Sequence, residues 1–467
     1  MNIKEHTSHI KFPSLTGGVR GGSAWRANLW LFLELIIITI VAWNVFDPAV
    51  VNLYYRSLPL GYDAKQLVYG EYITREDAES EYIRDEYGNF MEVTSPWEMN
   101  EKRQDQIIRQ LMDVEGVELT TINEGRREYR AIGYPKAAGY ETCTNERDTI
   151  YLPAISFNPN TRFFETFGLR PLPGSPSAEE LSRITVPENK VVLTSSGAKV
   201  LFGTDNVVGR HFKVRRYTDN DEEKIYDEMT VAGVVEDFRK SVSSTLRSIY
   251  ISPDTLDNST FTFVIKLRKG IDAKRFVAEH GSEVISKGMT GFNRISRLMT
   301  FQEHLQQQEM DEGRTQEVNR SLMMALFFLL SLSLAVIGTV WLQAKRRTEE
   351  CGVRRAFGAT RPRLLLEMLC QNALLATVAV IVGLIIFLNY AHSGICNDEI
   401  YYSSCEAFYT TRINWLNIDR TWVDYFWPHF LIVSGIVYLI ILCTVLIGTV
   451  IPALKIINTR ITEAIKE

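Results

Sequence analysis

SLMMALFFLLSLSLAVIGTVWLQ (321–343), running directly into AKRRTEECGVRRAFGATRPR (344–363), decides the fold. The first stretch holds no charge in 23 residues, and the second holds seven basic residues beside Glu349 and Glu350. A helix rises 1.5 Å per residue, so roughly 20 apolar residues cross a hydrocarbon core about 30 Å thick. The change at Gln343 is that of a membrane span ending in a charged aqueous loop.

Three further stretches resemble the first. Leu29 to Phe46 (LWLFLELIIITIVAWNVF) is interrupted only by Glu34. A third runs from about Leu364 to Tyr390 with Glu367 in its first turn, and a fourth from about Phe430 to Ile451 without charge. A basic flank precedes Leu29, as in a signal peptide, but the run is long and bulky. Asp47-Pro48 follows it instead of a small-x-small cleavage site, so it reads as an uncleaved anchor. The sequence thus predicts an α-helical membrane protein with four transmembrane helices, one and then three. Glu34 and Glu367 stand at span ends, as interfacial or helix-contact residues; a mid-membrane charge of the kind that marks a substrate path is lacking.

Composition narrows the class further. The 467 residues carry a net charge of −5 with no long basic run, which gives no support to nucleic-acid binding. With 23 Phe and 20 Tyr the chain is not of disordered type. Mean hydropathy near zero averages apolar spans with a large polar remainder.

Flanking Lys and Arg set the direction of insertion. Residues 1–28 carry Lys4, Lys11, Arg20 and Arg26 against Glu5; the 344–363 loop carries seven basic residues; the tail adds Lys455, Arg460 and Lys466. Residues 391–428 hold only Arg412 and Arg420 beside five acids. Both termini and the 344–363 loop are therefore expected in the cytoplasm. The predicted organisation is a cytoplasmic segment 1–28, a span 29–46, an outer domain 47–298, a stalk helix 299–320, a span 321–343, the loop 344–363, a span 364–390, an outer loop 391–428, a span 429–451 and a cytoplasmic tail 452–467. Cys351, Cys370 and Cys443 then fall in the cytoplasm or bilayer. Cys143, Cys396 and Cys405 fall outside, where disulfides persist. Cys396 and Cys405 are separated by eight residues and are candidates for a bridge; zinc competes, with only His392 nearby.

The outer domain reads as mixed α+β. Ile107, Ile108, Leu111 and Val114 recur at helical spacing until Gly116, and VELTTI follows as a strand. RFFETFGLRPLPG (162–174) is a short helix ending in a Gly–Pro turn; Lys190–Leu193, His211–Val214, EMTVAGVVEDF (228–238), Ser248–Ser252 and Phe261–Leu267 are strand-like, and Ser195–Phe202 is helical. His211 and Asp237 are chemically capable side chains, but no GxSxG, HExxH or nucleophile–base spacing surrounds them, and they read as surface or turn residues. Residues 299–320 suit a stiff stalk, with a flexible linker as the alternative because of Gly313.

In the charged loop, Glu349 and Glu350 precede Arg354 and Arg355 at spacings that permit helical pairing, and Pro362 suits the first turn of the next helix. A charged helix along the membrane surface is expected; simple positive-inside anchoring also accounts for the basic residues.

RRTEECGVRRAFGAT resembles the R-x-x-E-I-G-I-R-R-A-L-G-A-T motif of permeases in the MacB/FtsX family of ABC transporters. Glu350, Gly352, Arg354, Arg355, Ala356, Gly358, Ala359 and Thr360 match it. Glu349 departs in charge, while Cys351 and Phe357 are apolar exchanges expected to keep the buried face. KVVLTSSGAKVLFGTDNVVGRHFKV, TVAGVVEDFR, SIYIS and FFETFGLRPLPG are similar to the family's outer-domain pattern. The tail IPALKIINTRITEAIKE is a looser match, keeping Pro452, Ala453, Glu463 and Ala464 with Ile461 at a proline position. Residues 47–160 match poorly.

The resemblance implies a permease that binds no cofactor itself. ATP and Mg would be held by a separate MacB- or LolD-like cytoplasmic ATPase, since the sequence contains no GxxxxGK[ST] phosphate loop and no Gly-Lys dipeptide. It also implies a second permease chain, identical or not. Glu350, Gly352, Arg354, Arg355, Ala356, Gly358 and Ala359 would form a coupling helix docking on the ATPase. Force would pass to the outer domain by mechanotransmission in a bacterial inner membrane, for export or extraction of lipoproteins, peptides or drugs. A periplasmic adaptor or outer-membrane partner belongs to the same picture. An FtsX-like regulator of a cell-wall hydrolase is the alternative; an uncoupled sensor or anchor is disfavoured by the loop match.

Overall fold

The computed structural model describes residues 21–458 apart from 76–80, 85–89, 95–100, 124–131, 133, 145–148, 160, 217–224, 241, 243–244, 255–260, 291–292, 312, 347 and 396–417. In chain order the elements are α1 (Gly21–Ser57), β1 (Leu67–Thr74), β2 (Glu81–Arg84), β3 (Phe90–Thr94), α2 (Glu101–Met112), β4 (Val117–Asn123), β5 (Tyr134–Thr144), β6 (Thr149–Phe157), α3 (Phe163–Phe167) and α4 (Ala178–Leu181). Then follow β7 (Lys190–Thr194), α5 (Ser195–Phe202), β8 (His211–Arg216), β9 (Ile225–Val235), β10 (Tyr250–Pro253), β11 (Thr262–Leu267), α6 (Ala273–Lys287) and β12 (Asn293–Thr300). The last are α7 (Phe301–Asp311), α8 (Arg314–Arg346), α9 (Thr348–Ala356), α10 (Arg361–Ile395) and α11 (Phe426–Asn458). They divide into a helical unit (1–52, 317–412, 422–467) and an α+β unit (53–316, 413–421).

Among the described residues, four helices are long and apolar enough to cross a membrane, over Leu29–Ser57, Val318–Leu342, Arg361–Tyr390 and Phe426–Lys455. Their shared seam follows helical periodicity. Val433, Val437, Ile441 and Val445 recur every fourth residue along α11, and Leu332, Val336 and Val340 do so along α8. Small Ala376 and Ala379 on α10 let backbones approach. The first span departs from its expected end at Phe46. Helix α1 runs through Pro48 to Ser57, because Ala49, Val51 and Tyr55 continue its inward stripe. Asp47, expected to open the outer domain, is instead a buried helical residue.

Among the described residues the α+β unit holds a two-stranded antiparallel ribbon, β2-β3, and two larger sheets. One is antiparallel, in the order β12-β1-β11-β4; the other is a closed barrel, β10-β6-β5-β8-β9-β7. Alternation along β11 explains the first sheet's two covered faces. Phe263, Ile265 and Leu267 face α2 and α6, while Val264 faces a cluster containing Phe163, Phe164, Phe167 and Phe301. Opposite Phe263 stands Gly70, where a Cβ would lie 2.0 Å from the ring. The barrel interior is filled by Leu152, Val191, Leu193, Phe212, Val231 and Tyr250.

The expected 299–320 stalk is not one helix. Met299 and Thr300 end β12, and Gly313, at φ +73, separates α7 from α8. Phe301, His304, Leu305 and Gln308 are buried, and His304 stacks on Tyr69 with ring centroids 3.6 Å apart. Helix α7 is thus a core element of the α+β unit, its sparse apolar face being enough once His304 packs as an aromatic ring.

Candidate functional site: the α8–α10 connection

Helix α9 spans Thr348–Ala356 between two long apolar helices. It ends because Gly358 takes φ +92, which lets Gly358 N–H bond Arg355 O at 3.0 Å and Ala359 N–H bond Arg354 O at 3.0 Å. This pair of bonds is a Schellman motif, and the left-handed residue it needs favours glycine. The Cβ position of Gly358 faces open space, so the requirement is conformational. Leu364 N–H then bonds Thr360 O at 3.2 Å, starting α10.

Two arginines hold α9 against its neighbours. Arg354 Nη1 donates to Glu367 Oε1 on α10 at 2.8 Å. Arg355 Nη1 donates to the carbonyl of Ile457, in the last turn of α11, at 2.8 Å. Below them Leu364, Met368, Ala453 and Ile457 form a small core that Ala359 and Leu365 join. Cys351 and Gly352 are buried. Glu367 is thereby a helix-contact residue, as is Glu34, whose Oε2 accepts from Thr339 Oγ1 at 3.2 Å.

The outward face is different. Val353 is 45% exposed and Phe357 is 89% exposed, with Ala356, Gly358, Thr360, Arg361, Pro362 and Arg363 also exposed. Phe357 does not keep a buried face as its apolar character suggested. Six residues at 100° each place it roughly 240° around from buried Cys351. That phase was readable in the sequence; the apolar character of the residue hid it. The connection can therefore present one large aromatic side chain among cations, on a helix braced from behind. The side chain of Glu350 and the cysteines Cys396 and Cys405 lie outside the described residues.

The other candidates stay structural. Asp237 accepts hydrogen bonds from Ser196 N–H and Ser196 Oγ at the start of α5, and His211 Nδ1 meets Thr230 Oγ1 at 3.0 Å across β8–β9. Arg239 was missed. It is 2% exposed, and its guanidinium donates to the carbonyls of Tyr55, Leu58, Pro59 and Val242 around the end of α1. Burial lowers its pKa, opposed by Tyr62 and Tyr54. Its position directly after the VVEDF strand gave no signal of that role.

A family model described as MacB-like periplasmic core domain matches residues 72–282, and one described as FtsX-like permease C-terminal matches residues 322–461. The chain belongs to the MacB/FtsX family of ABC transporter permeases. The 322–461 match includes α9 and all of its contacts described above. Among solved structures, the extracellular domain of the noncanonic ABC-type transporter YknZ from Gram-positive bacteria aligns at 13% identity, covering 49% of this chain and 100% of that one, with a TM-score of 0.27. The periplasmic region of MacB from Actinobacillus actinomycetemcomitans aligns at 12% identity over 53% and 94%, with a TM-score of 0.29. A permease domain from Porphyromonas gingivalis aligns at 13% over 51% and 93%, with a TM-score of 0.29. No curated protein sequence matches the chain. The permease family is one that works with ABC ATPases in general.

Proposed function

We propose that this MacB/FtsX-family permease is a non-catalytic membrane subunit. It couples ATP hydrolysis on a separate MacB- or LolD-like cytoplasmic ATPase to conformational change in its α+β unit. The outcome is export or extraction of lipoproteins, peptides or drugs across or from a bacterial inner membrane. ATP and Mg reside on the partner, both termini and α9 face the cytoplasm as the distribution of Lys and Arg requires, and a second permease chain completes the complex.

One observation carries this reading: Phe357 stands 89% exposed on a helix end fixed by Arg354, Arg355 and Gly358. An aromatic ring held in water on a rigid support favours insertion into a partner's apolar cleft, since burying it stabilises a complex by roughly 1.5–3 kcal/mol. This assigns docking to Val353 and Phe357, with Glu350, Gly352, Arg354, Arg355, Ala356, Gly358 and Ala359 forming the supporting helix.

The test is a mild-detergent pull-down of the tagged full-length chain with mass spectrometry, beside Phe357→Glu. Recovery of an ABC ATPase with wild type and its loss with the variant supports the reading. Absence of any ABC ATPase with wild type, at normal membrane level, overturns it. A cell-wall hydrolase recovered with the ATPase would make the chain a regulator instead.

A further inference from the structure

Residues 418–421 pack with the α+β unit, although the chain delivers them from α10 and carries them on to α11. Ile418, 8% exposed, belongs to the core cluster that fills the barrel. Asp419 adopts φ +52 and accepts three hydrogen bonds: from Arg247 N–H at 2.6 Å, Ser248 N–H at 2.6 Å and Ser248 Oγ at 2.8 Å. A non-glycine residue in that region costs about 1 kcal/mol and persists where its surroundings over-determine it. Three charge-assisted bonds do so here.

The same short segment is pinned again inside the helical unit. Val423, in the 3-10 turn Trp422–Asp424, is 3% exposed, and its carbonyl accepts from His429 Nδ1 at 2.8 Å. His429 Nε2 lies 2.5 Å from Asp47 Oδ1 on α1, with side chains 1% and 3% exposed. The imidazole stacks on Trp43 at 5.9 Å and meets Trp422 edge-on at 5.6 Å. Trp43 Nε1 in turn donates to Ser434 Oγ at 3.2 Å. In a buried polar contact of this kind, removing one partner costs more than the pair itself contributes, so it acts as an all-or-none fastener.

We propose that Ile418–His429 is a strap that transmits displacement. Asp419 fastens one end to the barrel at Arg247–Ser248, and Asp47 fastens the other by holding His429 to α1. Displacement of the barrel is then delivered along the strap to the first turns of α11 and to α1, where a free loop would absorb it. Asp419 and His429 are positioning residues for this transfer. It is a property of the permease chain itself and goes beyond the assignment of an ATPase.

Coupling between two sites is reciprocal, which makes the strap testable from both ends. Backbone hydrogen exchange is measured by mass spectrometry on the full-length chain in lipid nanodiscs, for wild type, Asp419→Asn and His429→Gln. Asp419→Asn is expected to speed exchange of the Arg247 and Ser248 amides, which it releases, and also of amides 422–432 by about fivefold or more. His429→Gln is expected to speed exchange at Arg247 and Ser248 similarly. Local effects alone, with the far end of each variant at wild-type protection, overturn the proposal. If Asp419→Asn fails to fold, Ser248→Ala removes a single hydrogen bond and is read at the same far-end amides. Restored far-end protection in Asp419→Glu separates fastening by a carboxylate from a general loss of packing.

Discussion

Arg355 donates a hydrogen bond from Nη1 to the carbonyl oxygen of Ile457, 2.8 Å away, so a side chain of α9 caps the last turn of α11. The last carbonyls of any helix lack intrahelical partners, and a cation there meets the negative end of the helix dipole. Arg355→Ala is therefore expected to fray α11 from about Lys455 onward, at a cost of roughly 1–2 kcal/mol locally. Faster amide exchange at residues 455–458, with mid-span residues unchanged, is the result to look for. Unaltered exchange there would mean that the cap does not bear on α11.

Phe357 gives the opposite expectation. At 89% exposure it supports nothing within the chain, so Phe357→Ala should change stability by no more than about 0.5 kcal/mol. ATPase co-purification should fall about tenfold or more, the scale on which an aromatic anchor at an interface acts. A variant that loses both stability and partner would show that the ring packs inward.

Arg354 and Glu367 separate bracing from docking. Their ion pair is 2.8 Å long with both side chains well exposed, so Arg354→Glu alone should cost at most about 1 kcal/mol. If Arg354 braces α9, Arg354→Glu/Glu367→Arg restores ATPase-coupled activity that Arg354→Glu reduces. If Arg354 touches the ATPase itself, the exchanged pair stays as impaired as the single variant. Residual activity in the two forms, compared at equal membrane level, decides it.

Gly70 and Phe263 offer a test of the sheet. The two are register partners on β1 and β11, and the ring occupies the space a Cβ would need. Gly70→Ala should destabilise the α+β unit by about 1–3 kcal/mol, and Phe263→Leu should relieve part of that in the double variant. Pulse proteolysis in urea measures the difference. Strict additivity of the two changes would show that they do not share the space.

Much of this architecture was visible in periodicity. The apolar runs marked four spans because length and absence of charge suffice in a bilayer. Strands such as Lys190–Thr194 and Thr262–Leu267 showed as short apolar runs because both faces are buried. What stayed hidden depended on partners far away in sequence. The apolar run ended at Phe46, but buried Val51 and Tyr55 carry α1 on through Pro48 to Ser57. The polar residues 301–311 suggested a solvated stalk, and only the stacking of His304 on Tyr69 shows why they are core. In the α8–α10 connection a charged helix was expected and α9 occupies the segment, while the division between bracing Arg354 and Arg355 and outward Phe357 came from helical phase. Arg239 and Asp419 are single polar residues that reach partners more than 170 positions away, Tyr55, Leu58 and Pro59 for the one and Arg247 and Ser248 for the other, beyond the reach of any local pattern.

Lys240 follows Arg239 at the edge of the α+β core, and burial holds its ammonium down to about 8 from an ordinary 10.5. Between those values the unfolded chain binds more protons than the folded one, so this group makes stability rise with pH from about 8 toward 10. At pH 7 the lysine is charged in both states, and the folded protein carries the full desolvation cost. Lys240→Met removes that cost and should stabilise the unit by about 1–3 kcal/mol at pH 7. The advantage should shrink steadily above pH 8 and be small near pH 10, as the wild-type side chain becomes neutral. Above that pH the buried Tyr62 and Tyr72, whose hydroxyls burial pushes upward, weigh the other way in both proteins, so the comparison is made between pH 6 and 10. Urea midpoints for the two forms across this range provide the measurement. A gain independent of pH would assign the effect to the added apolar contact, and no gain at pH 7 would show that the ammonium reaches solvent.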